Sequence, residues 1–222
     1  MNPTTGILPA IDTLTAAQME RINENSYLVK HKKGEHIFRN EQPISHLMFL
    51  HTGLVKLYKD LSSDKSLIIK IAGPENYVGI ISVFYGNRYT LSAAALEDSE
   101  IIYISMPVFK EILGENGQYA LHMLNELSKM GVSLIEKMVN LSHKQIPGRI
   151  AEILLFFSKQ VYMSNNFTLP VSRQELADLV SSTKESISRT LTEFKNDRLI
   201  EIDDRKVVLK SLDLLDILSR MG

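Results

Sequence analysis

Four polar side chains in the C-terminal third stand at a spacing that can do recognition chemistry. If their segment is helical, Lys184, Glu185, Ser188 and Arg189 share one outward face, with Glu185 and Arg189 one turn apart. An arginine fork can donate two hydrogen bonds to the O6 and N7 of a guanine, and a carboxylate can accept one from the N4 of a cytosine. A helix carrying both groups presents what is needed to read a guanine on one strand and a cytosine on the other. The same spacing also makes a solvated salt bridge worth ~0.3–0.5 kcal/mol, so the elements around it decide between the two.

Those elements read as two short helices, a tight turn and a hairpin. Ser172-Arg173-Gln174-Glu175 has the S-x-x-E form of a capping box, and apolar Leu176, Leu179 and Val180 follow it. Ser181-Ser182-Thr183 is a polar turn, and Ile187, Leu191 and Phe194 lie on one face of the next helix. Small Ala177 lets the helices cross closely, with Ile187 filling the gap, which is a helix-turn-helix pattern. Leu199-Ile200-Glu201-Ile202 and Lys206-Val207-Val208-Leu209 flank Asp203-Asp204-Arg205 as a hairpin wing, and Leu212 to Arg220 reads as a last helix that Ser211 can cap. Upstream, Arg149 to Lys159 predicts a helix, and Phe167-Thr168-Leu169 a short strand. In this arrangement the N-terminal part of the second helix enters the major groove. Glu185, Ser188 and Arg189 are the candidate base readers; Ser172, Arg173, Thr183 and Lys184 are the candidate phosphate contacts.

The remaining chain must place this module. Pro147-Gly148 marks the clearest boundary and predicts a hinge. Before it, Ala120, Leu124, Leu127, Gly131, Leu134, Met138 and Leu141 recur at alternating four- and three-residue steps, the spacing of a dimer seam. Leu121, Met123, Val132 and Ile135 form a second apolar strip, so one strip can face the chain's own core and the other a partner. Gly131 lowers helix propensity by up to ~1 kcal/mol and permits close backbone approach. Residues 1 to about 27 look like a helical lead-in. From about Val29 to Ser105, short apolar runs such as His36-Ile37-Phe38, Leu47-Met48-Phe49-Leu50 and Leu67 to Ile71 alternate with turn signals at Lys33-Gly34, Thr52-Gly53, Ser62-Ser63-Asp64 and Gly86-Asn87. The expected fold is α+β: an N-terminal β-roll with its lead-in over residues 1–116, a dimerisation helix over 117–146, and a winged helix-turn-helix over 147–222.

Composition removes several chemistries. The 222 residues contain no cysteine, which excludes thiolate catalysis, disulfides and cysteine-ligated iron–sulfur clusters. The formal net charge is −1, and residues 148–222 carry eleven basic and eleven acidic side chains, so nucleic-acid contact has to come from local, directed groups. Met1 to Leu14 lacks a basic segment followed by an apolar run, and no apolar stretch approaches ~20 residues; a cytoplasmic protein without a membrane partner is expected. His31, His36, His46, His51, His122 and His143 show no metal-ligand spacing, and no metal site is expected. No Ser-His-Asp order, P-loop or dinucleotide loop is visible, so no enzyme activity is expected.

Over nearly its full length the sequence resembles the CRP/FNR family of bacterial transcription regulators. Gly148-Arg149-Ile150-Ala151 with Leu154-Leu155 resembles the first helix of the family's DNA domain, and Ser172 to Ala177 and Lys184 to Arg189 resemble its helix-turn-helix. Glu185, Ser188 and Arg189 form a Glu-x-x-Ser-Arg pattern similar to the FNR branch, which reads TTGA-type half-sites. Ser181 stands where many such turns carry glycine. Lys33-Gly34-Glu35-His36-Ile37-Phe38, Gly53-Leu54-Val55-Lys56, Gly73 and Gly79 resemble the family's cyclic-nucleotide-binding β-roll, a double-stranded β-helix. The resemblance implies a homodimer on pseudo-palindromic DNA, RNA polymerase as a partner if the protein activates, and an unidentified small effector.

The sensor half departs from the family pattern. Cyclic-AMP-binding members use a Gly-Glu-Leu segment for the ribose and an Arg-Ser-Ala segment for the phosphate. Here the first reads Gly79-Ile80-Ile81 and the second aligns with Tyr89-Thr90-Leu91. Arg88 falls one position early, which turns it to the other face of a strand; a loop shift that brought it back would restore phosphate binding. The hydroxyl pair offered to adenine falls on Leu134 and Ile135. The candidate effector pocket is therefore Ile80, Ile81, Arg88, Tyr89, Leu134 and Ile135, and cyclic AMP is not the expected effector, because a neutral side chain cannot replace the charged phosphate contact. Two further readings stay open: a haem-based gas sensor, with His122 as a candidate axial ligand, and a sensor or adaptor whose helix-turn-helix contacts protein.

Overall fold

In the computed structural model, residues 11–62 and 65–221 are described. The readings made on Met1–Leu14 and on Ser62-Ser63-Asp64 fall partly outside them. The described residues form two compact units, one from residues 11–61 and 68–133, the other from residues 62, 65–67 and 134–221.

The first unit holds two four-stranded sheets, apart from residues 62 and 65–67 at the tip of one hairpin. β1 (Ser26–His31), β8 (Ser99–Ser105), β3 (His46–Thr52) and β6 (Asn76–Val78) make one, in the order β1-β8-β3-β6. β2 (His36–Phe38), β7 (Ser92–Ala95), β4 (Val55–Ser62) and β5 (Lys65–Ala72) make the other, in the order β2-β7-β4-β5. The run Leu47-Met48-Phe49-Leu50 is buried throughout because both faces of β3 are covered. Met48 and Leu50 pack with Val55, Leu57 and Ala93 of the other sheet. Leu47 and Phe49 point the opposite way, against Ile22 of α1 (Ala16–Glu24), Phe109 and Ile112 of α3 (Met106–Glu115), and Tyr119 and Met123 of α4 (Gly117–His143).

Thr15 caps α1 in a box with Gln18, and β1 begins at Ser26, near the expected end of the helical lead-in. Ile80–Tyr85, expected within a strand region, is a short helix, α2, entered through Gly79 in the left-handed conformation. The helical region after β8 is divided at Asn116, whose Oδ1 accepts from the Tyr119 backbone N–H while its Nδ2 donates to the Thr13 carbonyl and Gln18 Oε1.

The side chains of the expected seam differ in exposure along the long helix. Leu127 and Met130 pack on the unit's own core beside Tyr119 and Met123, so Leu127 and Met123 belong to one inward face. The exposed apolar strip runs through Leu121, Leu124, Val132, Ile135, Met138 and Val139. Leu134 and Leu141 are half-buried. Of the expected seam residues, Leu124 and Met138 lie in this exposed strip. Both strips are apolar, so spacing could not say which one the core would take. A Cβ at Gly131 would meet nothing within 4 Å.

In the second unit, α5 spans Ile146–Phe156 and continues as a π-helical turn over Phe157–Val161. Pro147 and Gly148 therefore lie inside the first turn of α5 and are not a linker. Proline is accommodated there because first-turn N–H groups have no helical acceptor. The break falls at Lys144-Gln145, between α4 and α5, with Gln145 extended at the N-cap. β9 (Asn166–Thr168), α6 (Arg173–Val180), α7 (Lys184–Asn196), β10 (Ile200–Asp203), β11 (Lys206–Leu209) and α8 (Leu212–Met221) follow. The wing sheet has the order β10-β11-β9.

Candidate nucleic-acid interface

Two capped helices set the geometry of the candidate reader. Ser172 Oγ accepts from the Glu175 N–H, and Glu175 Oε2 accepts from the Ser172 N–H at 2.8 Å, so the capping box closes at the start of α6. α6 ends at Ser181, which is left-handed at φ 55° and lets the Ser182 N–H return to the Ala177 carbonyl. Thr183 then caps α7, its Oγ1 accepting from the Ser186 N–H. Ala177, Leu176 and Ile187 are fully buried between the helices. Arg149 of α5 donates from Nη1 to the carbonyl of Val180 at 2.6 Å, placing a cation on the C-terminal end of α6.

This frame turns Lys184, Glu185, Ser188 and Arg189 to the exposed side of α7. Glu185 and Arg189 form neither an ion pair nor a hydrogen bond among the described residues, so the helix face keeps both charged groups free. Ser188 Oγ donates to the Lys184 carbonyl at 2.9 Å and retains its acceptor lone pairs. The candidate phosphate contacts divide. Lys184 is exposed and its ammonium is free among the described residues. Ser172 and Thr183 have their hydroxyls engaged as caps. Arg173 is half-buried; its Nη2 donates to the Asp204 carbonyl in the wing turn at 2.8 Å, and burial lowers its pKa from the usual arginine value. Arg173 thus ties α6 to the wing. Sequence reasoning missed this tie, and also Arg149, whose bond to Val180 joins segments thirty-one residues apart.

The candidate effector pocket is assembled very differently. Tyr89 is buried and stacks on Phe38 with ring centroids 3.7 Å apart and planes 12° from parallel. A Cβ at Gly79, whose φ is +77°, would come within 2.8 Å of that Phe38 ring. Tyr89 Oη donates to the His46 carbonyl at 3.4 Å, and burial pushes its pKa up. Ile80 is buried in the core and Ile81 is exposed. Ser82 Oγ and Thr90 Oγ1 bond each other at 2.9 Å. Arg88 is exposed and donates to the Glu41 carbonyl. It therefore leaves the candidate pocket, as the alternating faces of extended backbone require. Leu134, half-buried, and Ile135, exposed, belong to the other compact unit and are described only there. The carboxylate and guanidinium that would hold a cyclic nucleotide have no counterparts among Ile80, Ile81 and Tyr89, so these residues do not fit that ligand.

His31, His36 and His46 hydrogen-bond neighbouring side chains. His31 Nε2 and Tyr103 Oη share a hydrogen bond of 3.0 Å, His36 Nδ1 and Tyr58 Oη one of 3.1 Å, and His46 Nδ1 and Ser45 Oγ one of 2.8 Å. His122 stacks on Tyr119 with its Nε2 buried and without a hydrogen-bond partner. Among the described residues, no group of three or more His, Asp or Glu side chains is placed to hold a metal ion. No helix there is long and apolar enough to cross a membrane.

Comparison with known proteins agrees with both halves of this architecture. Residues 28–116 match the cyclic nucleotide-binding domain family, and residues 148–217 match the Crp-like helix-turn-helix domain family. The chain is 24% identical to the anaerobic regulatory protein of Bacillus subtilis, over 92% of this chain and 88% of that one. It is 26% identical to the transcriptional activator protein anr of Pseudomonas aeruginosa, over 91% of this chain and 85% of that one. Among solved structures, FixK2 from Bradyrhizobium japonicum superposes with a TM-score of 0.79 at 23% identity, covering 87% of this chain and 96% of the other, which supports the fold. With a cyclic-nucleotide-binding-type sheet domain, a long helix and a Crp-like helix-turn-helix in one polypeptide, the chain belongs to the CRP/FNR family of DNA-binding transcription regulators.

Proposed function

We propose that the protein acts as a homodimer that reads a TTGA-like pseudo-palindrome, under the control of a small effector other than cyclic AMP. The observation that carries this reading is the outer face of α7, where Glu185 and Arg189 are exposed and unpaired one turn apart. Arg189 would take the guanine, Glu185 the cytosine of the neighbouring pair, and Ser188 a further base edge. Lys184 would contact phosphate directly. The N-termini of α6 and α7, kept in shape by Ser172 and Thr183, would contribute backbone N–H groups to the phosphates, and Arg173 would hold the wing in position. The apolar strip from Leu121 to Val139 on α4 supports a second copy as the partner, because a contiguous row of exposed leucine, isoleucine, valine and methionine on one helix is costly to leave in water. Two such subunits would place their recognition helices in successive major grooves about 34 Å apart. RNA polymerase would be a further partner in activation.

The test is affinity for a TTGA-N-TCAA-type duplex across a salt series. Wild-type binding should weaken steeply with salt. Arg189→Ala should lose ~1–3 kcal/mol and its preference for guanine at one position. Equal binding of all sequences by wild type and variant would remove the base-reading role. Absence of any salt-dependent DNA retention would instead favour a module that contacts protein.

A further inference from the structure

The carboxylate of Glu152 ties the end of the long helix to the reading module. Glu152, on α5, accepts from Asn140 Nδ2 at 2.9 Å on one oxygen and 3.2 Å on the other, and from Lys144 Nζ at 3.0 Å. Lys137 faces the same carboxylate; its ammonium is pushed down to about 8 by burial and held up by Glu152. Lys137, Asn140 and Lys144 follow one another at steps of three and four, so they form one stripe aimed at α5. The bonds from this stripe to Glu152 reach across the Lys144-Gln145 break, where the backbone is extended at Gln145. Without a tie, rotation about the backbone bonds there would let the end of α4 pivot against α5. Glu152 is a lone acid in the otherwise apolar Ile150–Phe157 run, and its placement opposite two lysines and an amide serves no cap and no part of the DNA-reading face.

We propose that Glu152 is a positioning residue for DNA recognition, fixing the angle at which α4 passes into the helix-turn-helix module and thereby the separation of the two recognition helices in a dimer. This rests on the dimeric, pseudo-palindrome-reading function proposed above. Glu152 touches no base or phosphate in this account. It acts by allowing one separation of half-sites and penalising others.

The experiment uses the full chain and a set of duplexes with two TTGA-type half-sites whose central spacer is one base pair shorter, unchanged, or one or two longer. A duplex with one half-site serves as the reference. Each added base pair moves the second half-site by about 3.4 Å and turns it by about a tenth of a turn. Wild type should favour one spacer by about tenfold or more over its neighbours. Glu152→Gln should flatten that preference to about threefold or less, while single-half-site affinity stays within about twofold of wild type. Lys144→Met cuts the same tie from the other side and leaves α5 unaltered, so it gives the same flattening even if Glu152→Gln fails to fold. Retention of the wild-type spacer preference in the folded variants overturns the positioning role. A wild type that binds two half-sites no better than one overturns it too, and that outcome is recognisable because it removes the dimeric reading itself.

Discussion

The outer face of α7 and the interior of the sheet domain around Gly79 treat polar chemistry in opposite ways. On α7, Glu185 and Arg189 are attached to a helix whose stability comes from Ile187, Leu191 and Phe194 on the far side. Neither charged group has an ion pair or hydrogen bond among the described residues, so both remain available for a ligand. Around Gly79, the positions that would contact a nucleotide are Ile80 and Tyr89, both buried, with Tyr89 stacked on Phe38. There the fold uses the side chains itself. The difference teaches that recognition on a helix surface can be gained or lost without touching stability, whereas a sensor pocket cannot change its ligand without changing its core.

Substitutions should separate the two regions by which quantity they move. Tyr89→Ala should cost about 3–5 kcal/mol of folding stability, the range for removing a large buried ring, read as a lower denaturation midpoint at unchanged m-value. A loss below about 1 kcal/mol would mean that the ring is not part of the core. Arg189→Ala should leave stability within about 0.5 kcal/mol of wild type while costing DNA affinity as proposed above. A substantial fall in melting temperature would break the contrast, because it would show that the guanidinium supports the fold. The smallest effect belongs to the turn between α6 and α7. Ser181 is left-handed at φ 55°. Ser181→Gly should therefore gain about 0.5–1 kcal/mol, the steric relief slightly exceeding the entropy of glycine. Destabilisation by this change would show that the Ser181 side chain makes a contact worth more than its backbone strain.

The DNA-reading half was legible in the sequence because its determinants are local. The Ser172/Glu175 box, the Thr183 cap and the 3.6-residue recurrence of Ile187, Leu191 and Phe194 each act within one or two turns. The sheet domain was legible only where strands alternate or are β-branched. Ser92–Ala95 is a strand with four buried residues although alanine has little strand preference. Its conformation comes from pairing with β2 and β4 on either side. Ile80–Tyr85 is helical against its β-branched and aromatic composition, because Gly79 redirects the chain and Ile80 and Val83 enter the core. These are tertiary overrides of propensity. The seam on α4 shows the same limit, since choosing between two apolar strips requires knowing which side the core occupies. Ties such as Arg149 to Val180 and Glu152 to Asn140 and Lys144 join helices through polar groups with no periodic signature. For Glu152 the trace was a solitary acid in an apolar run, opposite Lys137, Asn140 and Lys144.

Nucleotide dependence of DNA binding tests the central contrast most directly. Fluorescence anisotropy of a labelled TTGA-N-TCAA-type duplex would be titrated with the purified protein in the presence and absence of cyclic AMP, for wild type and Arg189→Ala. Superimposable wild-type curves are expected with and without the nucleotide, and a weaker, less guanine-selective curve for the variant. Wild-type binding that arises only when cyclic AMP is added would contradict this expectation.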